Sequence, residues 1–172
     1  MTTRDVFCIL ATGSRHHTDA ALIGESLYEV IYATDAREIL IRHGACPGGA
    51  DQLVHDFCES EAEWFERGGR RLVVDPVPAD WDHCGLDCPP RPHRRRKPPG
   101  DVFHPGLLAD YCPGAGPRRN QLMTAMTPRP DVAVGFPLGR SYGTENCLRV
   151  AKAAGIPVRR FPARFRRGGD AA

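Results

Sequence analysis

The chain reads as an α/β protein, a Rossmann-like three-layer sandwich on a parallel sheet of about five strands. Three observations predict it. Short apolar runs of strand length alternate with segments whose apolar residues recur at helical spacing, the pattern of parallel strands joined by right-handed crossovers. Three of those runs end in glycine-bearing turns, at Thr12-Gly13-Ser14-Arg15, at residues 43–51 and at residues 137–144. The length of 172 residues suits one domain with a substantial core.

In chain order, residues 5–11 (DVFCILA) are continuously apolar after the leading Asp5, as in a central strand covered on both faces. Thr18 or Asp19 can cap the next helix, which carries Leu22, Ile23, Leu27, Val30 and Ile31 on one side. Residues 37–42 form a second strand. From Ala50, the spacing of Leu53, Val54, Phe57, Cys58 and Phe65 predicts a helix that Gly68-Gly69 stops. Residues 71–77 supply the third strand. Asp80-Trp81 then opens an irregular stretch, rich in proline, histidine and arginine, that reaches about Gly116; such a length signals function, a metal clip or disorder. Pro117 suits a first helical position, with Leu122, Met123 and Met126 following. Residues 131–136 are a fourth strand. A helix with Leu148, Val150, Ala151 and Ala154 follows, ended by Gly155-Ile156-Pro157, and residues 158–161 make a short last strand. Residues 1–162 thus read as one α/β domain with an insertion at 82–115, and 163–172 as a basic, frayed tail.

Composition narrows the function. No stretch is long and apolar enough to span a bilayer, and no signal-peptide pattern opens the chain, so a cytoplasmic protein without a membrane partner is expected. Seven cysteines there argue for burial, metal or chemistry rather than disulfides, and Cys8, Cys58 and Cys147 fall at core positions. The net charge of +2 demands no nucleic acid. Positive charge concentrates at 93–97 and 159–167, most simply as solvated basic loops.

The glycine turns all fall at the carboxyl ends of strands, where open α/β sheets bind ligands. Backbone amides and helix N-termini converging there favour anions. Gly13 permits close approach, Ser14 offers a hydroxyl and Arg15 a bidentate fork. The turn from Gly44 and Ala45 to Gly48 and Gly49 leaves helix-start amides uncovered. Asp51 either accepts from a sugar hydroxyl or stabilises the helix as a first-turn acid. His43 is more simply structural than catalytic. Arg118, Arg119 and Asn120 open a helix with cations that oppose its dipole, which an anionic ligand or an acidic neighbour would explain. Gly139, Gly143 and Thr144 form the third turn, and Glu145 serves as a base, a ribose ligand or a dipole partner.

Within the insertion, Cys84-x3-Cys88-x4-His93 with Cys112 beyond is a closed three-thiolate, one-imidazole set. Structural zinc would explain how a polar, proline-rich loop holds its shape. His83 and His104 are competing ligands. The clip would bring Arg94, Arg95, Arg96 and Lys97 towards the ligand edge.

GSR after the first strand, HGACPGGAD, PADW, GPRRN with a following Met, and FPLGRSYGTEN occur in the order found in the YspA-like group of the SLOG superfamily, which the chain resembles over nearly its whole length apart from the long insertion and the tail. That resemblance implies a Rossmann-like binder of nucleotides or nucleotide-derived ligands, akin to the Lonely Guy phosphoribohydrolases and the DNA-processing protein DprA. It also implies a homodimer through helices flanking the sheet. Lonely Guy enzymes carry PGGxGTxxE; here Cys147 stands at the place of the acid, with Glu145 two residues earlier and about 200° round a helix. This departure weighs against hydrolysis and leaves phosphate binding.

Three functions follow as expectations. The first is a binder of a nucleotide, or of an NAD- or ADP-ribose-like ligand, acting as a sensor or ligand-processing protein. The second is a nucleoside monophosphate phosphoribohydrolase using Glu145 or Asp51. The third, less favoured, is a DNA-associated module driven by the zinc loop and arginine tail.

Overall fold

The computed structural model describes residues 5–163, so the Gly168-Gly169-Asp170 tail lies outside the described residues. Five strands form one parallel sheet: β1 (Val6–Gly13), β2 (Glu38–His43), β3 (Arg71–Pro76), β6 (Val132–Phe136) and β7 (Val158–Arg160). Their order is β3-β2-β1-β6-β7. Four helices cover it: α1 (Ala20–Ile31), α2 (Gly49–Arg67), α3 (Ala115–Ala125) and α4 (Tyr142–Ala153). Between β3 and α3, the insertion carries a two-stranded antiparallel ribbon, β4 (Arg95–Arg96) and β5 (Asp110–Tyr111).

Period-two alternation divides the core. Ile9, Ala11, Ile39, Ile41, Val132 and Val134 face α1 and α2, joining Ile23, Leu27, Val54 and Phe65. On the other face Leu10 and Ala133 meet Met123, Cys147, Leu148 and Ala151 of α3 and α4. Cys8, Cys58 and Cys147 are buried, as expected. The result is the three-layer sandwich that the sequence predicts. Among the described residues no helix is long and apolar enough to cross a membrane.

Local details refine the boundaries. Asp19 caps α1, its side chain accepting from the Leu22 amide at 3.0 Å. α3 begins two residues ahead of Pro117, where the Ala115 amide donates to the Cys112 carbonyl at 3.1 Å. Arg42, fully buried at the end of β2, pairs with Asp75 at 2.7 Å and donates to the carbonyls of Met123, Met126 and Pro128. Those carbonyls lie at and beyond the end of α3, where helical partners run out. One guanidinium thus binds the α3 exit to the sheet.

Strand order reverses between β1 and β6. β1 pairs with β2 on one side and with β6 on the other, so chain connections leave this point in opposite directions and open a crevice above it.

Candidate functional site

The crevice is a cleft of about 700 Å³. Its floor comes from the three βα corners and α3. Gly13, Ser14, Arg15, Gly44, Ala45, Asp51, Arg119, Asn120, Gly143 and Thr144 all line it. Its roof comes from the insertion.

At the first corner the Ser14 backbone is fully used. Its N–H donates to Phe136 at 3.1 Å, and its carbonyl accepts from Ala50 at 3.0 Å and His17 at 3.1 Å. The Ser14 hydroxyl accepts from the His16 amide at 3.2 Å, which leaves its own hydrogen free to donate. Gly13 is required by packing: a Cβ there would stand 2.3 Å from the Ala50 Cβ. Gly49, at φ +63°, lies against the Ser14 carbonyl and Arg15 backbone, 2.4 Å from a notional Cβ. Gly48, at φ +108°, precedes α2. Neither Gly48 nor Gly49 lines the cleft.

The second corner differs from expectation. Its amides turn inward, not toward a ligand. The Cys46 amide donates to Asp51 at 3.1 Å, the Gly44 amide also serves the Asp51 carboxylate, and the Ala45 amide donates to His43 Nδ1 at 3.1 Å. Burial pushes the Asp51 carboxyl above the usual range, against the lowering effect of the Cys46 amide, Arg119 and the Gly44 amide. Asp51 therefore knots the loop that it lines. His43 reads as structural: with Nδ1 accepting from Ala45, its Nε2–H donates to His55 Nδ1, 3.2 Å away, and burial lowers its pKa to about 4, which keeps the ring uncharged.

Positive charge is supplied by side chains instead. Arg119 donates through Nη1 to the carbonyls of Gly44 and Val77 and through Nε to Asn120 Oδ1 at 3.1 Å. Gly44 lacks a Cβ where this guanidinium passes. Asn120 in turn donates to Asn146 Oδ1 at 2.9 Å, tying α3 to α4. No side chain caps α4, because the Ser141 hydroxyl sits 2.6 Å from that of Thr144. The α4 start thus faces the cleft with its first-turn amides unclaimed by a cap.

Besides Gly48 and Gly49, three further predicted positions lie elsewhere. Glu145 points away from the cleft and forms a bidentate pair with Arg160, both contacts 2.7 Å, which lowers its pKa. Gly139, at φ +59°, shapes the turn without lining the cleft. Arg118 faces the cysteines of the insertion.

Cys84, Cys88, His93 and Cys112 converge, with all four ligand atoms within 4.8 Å of one another. Cys84 Sγ and Cys112 Sγ are each 3.5 Å from His93 Nε2, and Cys88 Sγ is 3.5 Å from Cys112 Sγ. Tetrahedral metal–sulfur bonds of about 2.3 Å would separate sulfurs by about 3.8 Å, close enough to the observed spacing that this cluster can hold a metal ion. His93 Nδ1 lies 3.2 Å from the Arg91 carbonyl, fixing Nε2 as the inward atom. Arg118 Nη1 donates to Cys88 Sγ at 3.1 Å, and Arg94 to Cys84 Sγ at 3.7 Å. Three thiolates around a divalent cation would carry net negative charge, which these guanidiniums would offset. The competing histidines are engaged otherwise: His83 with Asp80 at 2.9 Å and His104 with Asp101 at 2.7 Å.

The roof was not legible in the sequence. Trp81, Phe103, His104 and Tyr111 line the cleft from above, with Arg95 beside them. His104 stacks on Tyr111 at 3.7 Å, Trp81 stands edge-on to both, and the Arg15 guanidinium lies 4.8 Å from the Phe103 ring centre. The basic run disperses: Arg94 is spent on Asp110 at 2.6 Å and Lys97 lies 3.9 Å from Asp82, while Arg95 and Arg96 are exposed.

No family model matches the chain. It is similar to the Gene 61 protein of Mycobacterium phage D29, with 28% identity over 153 residues that cover 89% of this chain and 94% of that protein.

Proposed function

We propose that the protein binds a nucleotide or a nucleotide-derived ligand, NAD- or ADP-ribose-like, at the carboxyl edge of its sheet, as a sensor or ligand-processing protein of the SLOG type. One observation carries the reading: the β1–α1 corner (Ser14, Arg15), α3 (Arg119) and the uncapped start of α4 border one cleft. A phosphoryl group there would meet a hydroxyl donor, two guanidiniums and a helix N-terminus. Binding is favoured over N-glycosidic hydrolysis, because Glu145 is turned to Arg160 and Asp51 is occupied by loop amides. Calorimetric titration with AMP, ADP-ribose, NAD and cyclic nucleotides tests this. Micromolar binding of at least one is expected; no heat with any phosphate-bearing compound would remove the proposal.

The Cys84, Cys88, His93, Cys112 cluster is proposed to hold structural zinc. The donor set is soft and closed, leaving no position for a substrate, so the metal would supply folding energy to the insertion and no chemistry. Mass spectrometry of the native chain should show one zinc per protein.

A further inference from the structure

The insertion sorts its side chains in a way that core formation does not explain. Leu86 and Leu107 are left 108% and 98% exposed, while Trp81, Phe103 and Tyr111 are turned onto the cleft. A loop folding for its own stability would bury the leucines first. Several polar contacts hold the rings in place. The Cys112 amide donates to the Trp81 carbonyl at 2.9 Å, Asp101 holds His104, and Tyr111 sits in β5, paired with Arg95 of β4. Cys112, a member of the converging cysteine and histidine cluster, follows Tyr111 directly. The rings therefore stand on a braced frame, not on a loose flap.

Below the rings the floor is polar and cationic, with Ser14, Arg15 and Arg119. A ligand spanning the cleft would be charged at one end and flat and apolar at the other. The volume of about 700 Å³ suits a small organic molecule rather than an inorganic anion. Aromatic side chains accept any nucleobase on their faces, and such stacking is tolerant of sequence.

We propose that the insertion forms a base-binding subsite, in which the Trp81–Phe103–Tyr111 wall takes the unpaired heterocycle of a nucleotide whose phosphate occupies the floor. This rests on the nucleotide reading above and adds what it leaves open: the ligand carries its base, and sugar phosphates are weak substitutes.

The test compares AMP and ADP with the base-free probes ribose 5-phosphate and pyrophosphate, by calorimetry on the full chain. AMP is expected to bind at least about fivefold more tightly than ribose 5-phosphate, the lower end of one base–aromatic stack. Trp81→Leu should erase that preference while ribose 5-phosphate binds as before, and Trp81→Phe should keep most of it. The chain has two tryptophans, Trp64 and Trp81. In a Trp64→Phe protein, AMP should therefore quench the remaining emission and ribose 5-phosphate should not. Equal affinity for AMP and ribose 5-phosphate, or a preference that survives Trp81→Leu, overturns the subsite alone. If no probe binds the unaltered protein, the nucleotide reading fails and the subsite with it.

Discussion

Arg118 and Arg119 are neighbours in the first turns of α3 and serve different sites. Arg118 donates to Cys88 Sγ at 3.1 Å and to the His83 carbonyl at 2.8 Å, while Arg119 reaches the Gly44 and Val77 carbonyls across the cleft floor. Successive helical residues diverge by about 100°, which lets one turn address both sides. The start of α3 is therefore a shared wall between the cysteine cluster and the cleft.

Arg118→Ala should weaken metal binding by about 10- to 100-fold, the usual effect of removing an outer partner that tunes the ligands. Competition with a chromophoric zinc chelator measures it. Unchanged affinity would show that the guanidinium contributes nothing to the thiolates.

His43 imposes a pH dependence. Burial, with His55 and Arg119 adding like charge and Asp75 opposing them, lowers its pKa from 6.5 to about 4. The unfolded chain thus takes up a proton at a higher pH than the folded one does. Stability from this group is complete above about pH 6.5 and declines as pH falls towards about 4. The total is on the order of 3 kcal/mol. Urea denaturation across that range should show the slope, and His43→Asn, which can still accept from the Ala45 amide, should flatten it. Parallel profiles for the two proteins would contradict the assignment.

Arg42→Met should destabilise the fold by roughly 3 kcal/mol, because it removes the donor shared by the buried carbonyls at the α3 exit and by the partly exposed Asp75. Thermal unfolding reports it. A drop below 1 °C in Tm would mean that solvent satisfies those groups.

Glu145→Gln should leave nucleotide affinity unchanged, since the carboxylate faces Arg160 outside the cleft. Loss of this exposed pair should cost roughly 0.5 kcal/mol or less. A tenfold fall in affinity would place Glu145 in the site after all.

The sheet was legible because parallel strands buried on both faces need continuous apolar runs, and β1 and β6 have them. The corners were legible for a partly different reason than the one inferred. Gly13 and Gly49 mark backbone and side-chain crowding between β1 and α2, and Gly44 makes room for Arg119; a cradle of free amides explains none of the three. The cysteine and histidine spacing pointed to four residues whose ligand atoms do come together, because a closed tetrahedron tolerates few alternatives. Arg118 was placed in the cleft because sequence gives no helical phase when the helix start is uncertain, and α3 begins two residues before Pro117. The aromatic roof is not legible in the sequence because an irregular loop has no period from which a direction can be read.

The strand order β3-β2-β1-β6-β7 obliges the chain to travel once from the outer edge of one half of the sheet back past its centre. That journey is fixed by topology, but its length is not, because the span forms no ladder with the five strands. Nature can lengthen, shorten or redecorate such a bridge without disturbing the platform beneath. Proteins sharing this platform are thus free to diverge in what they grip, and the bridge is where that divergence should be sought.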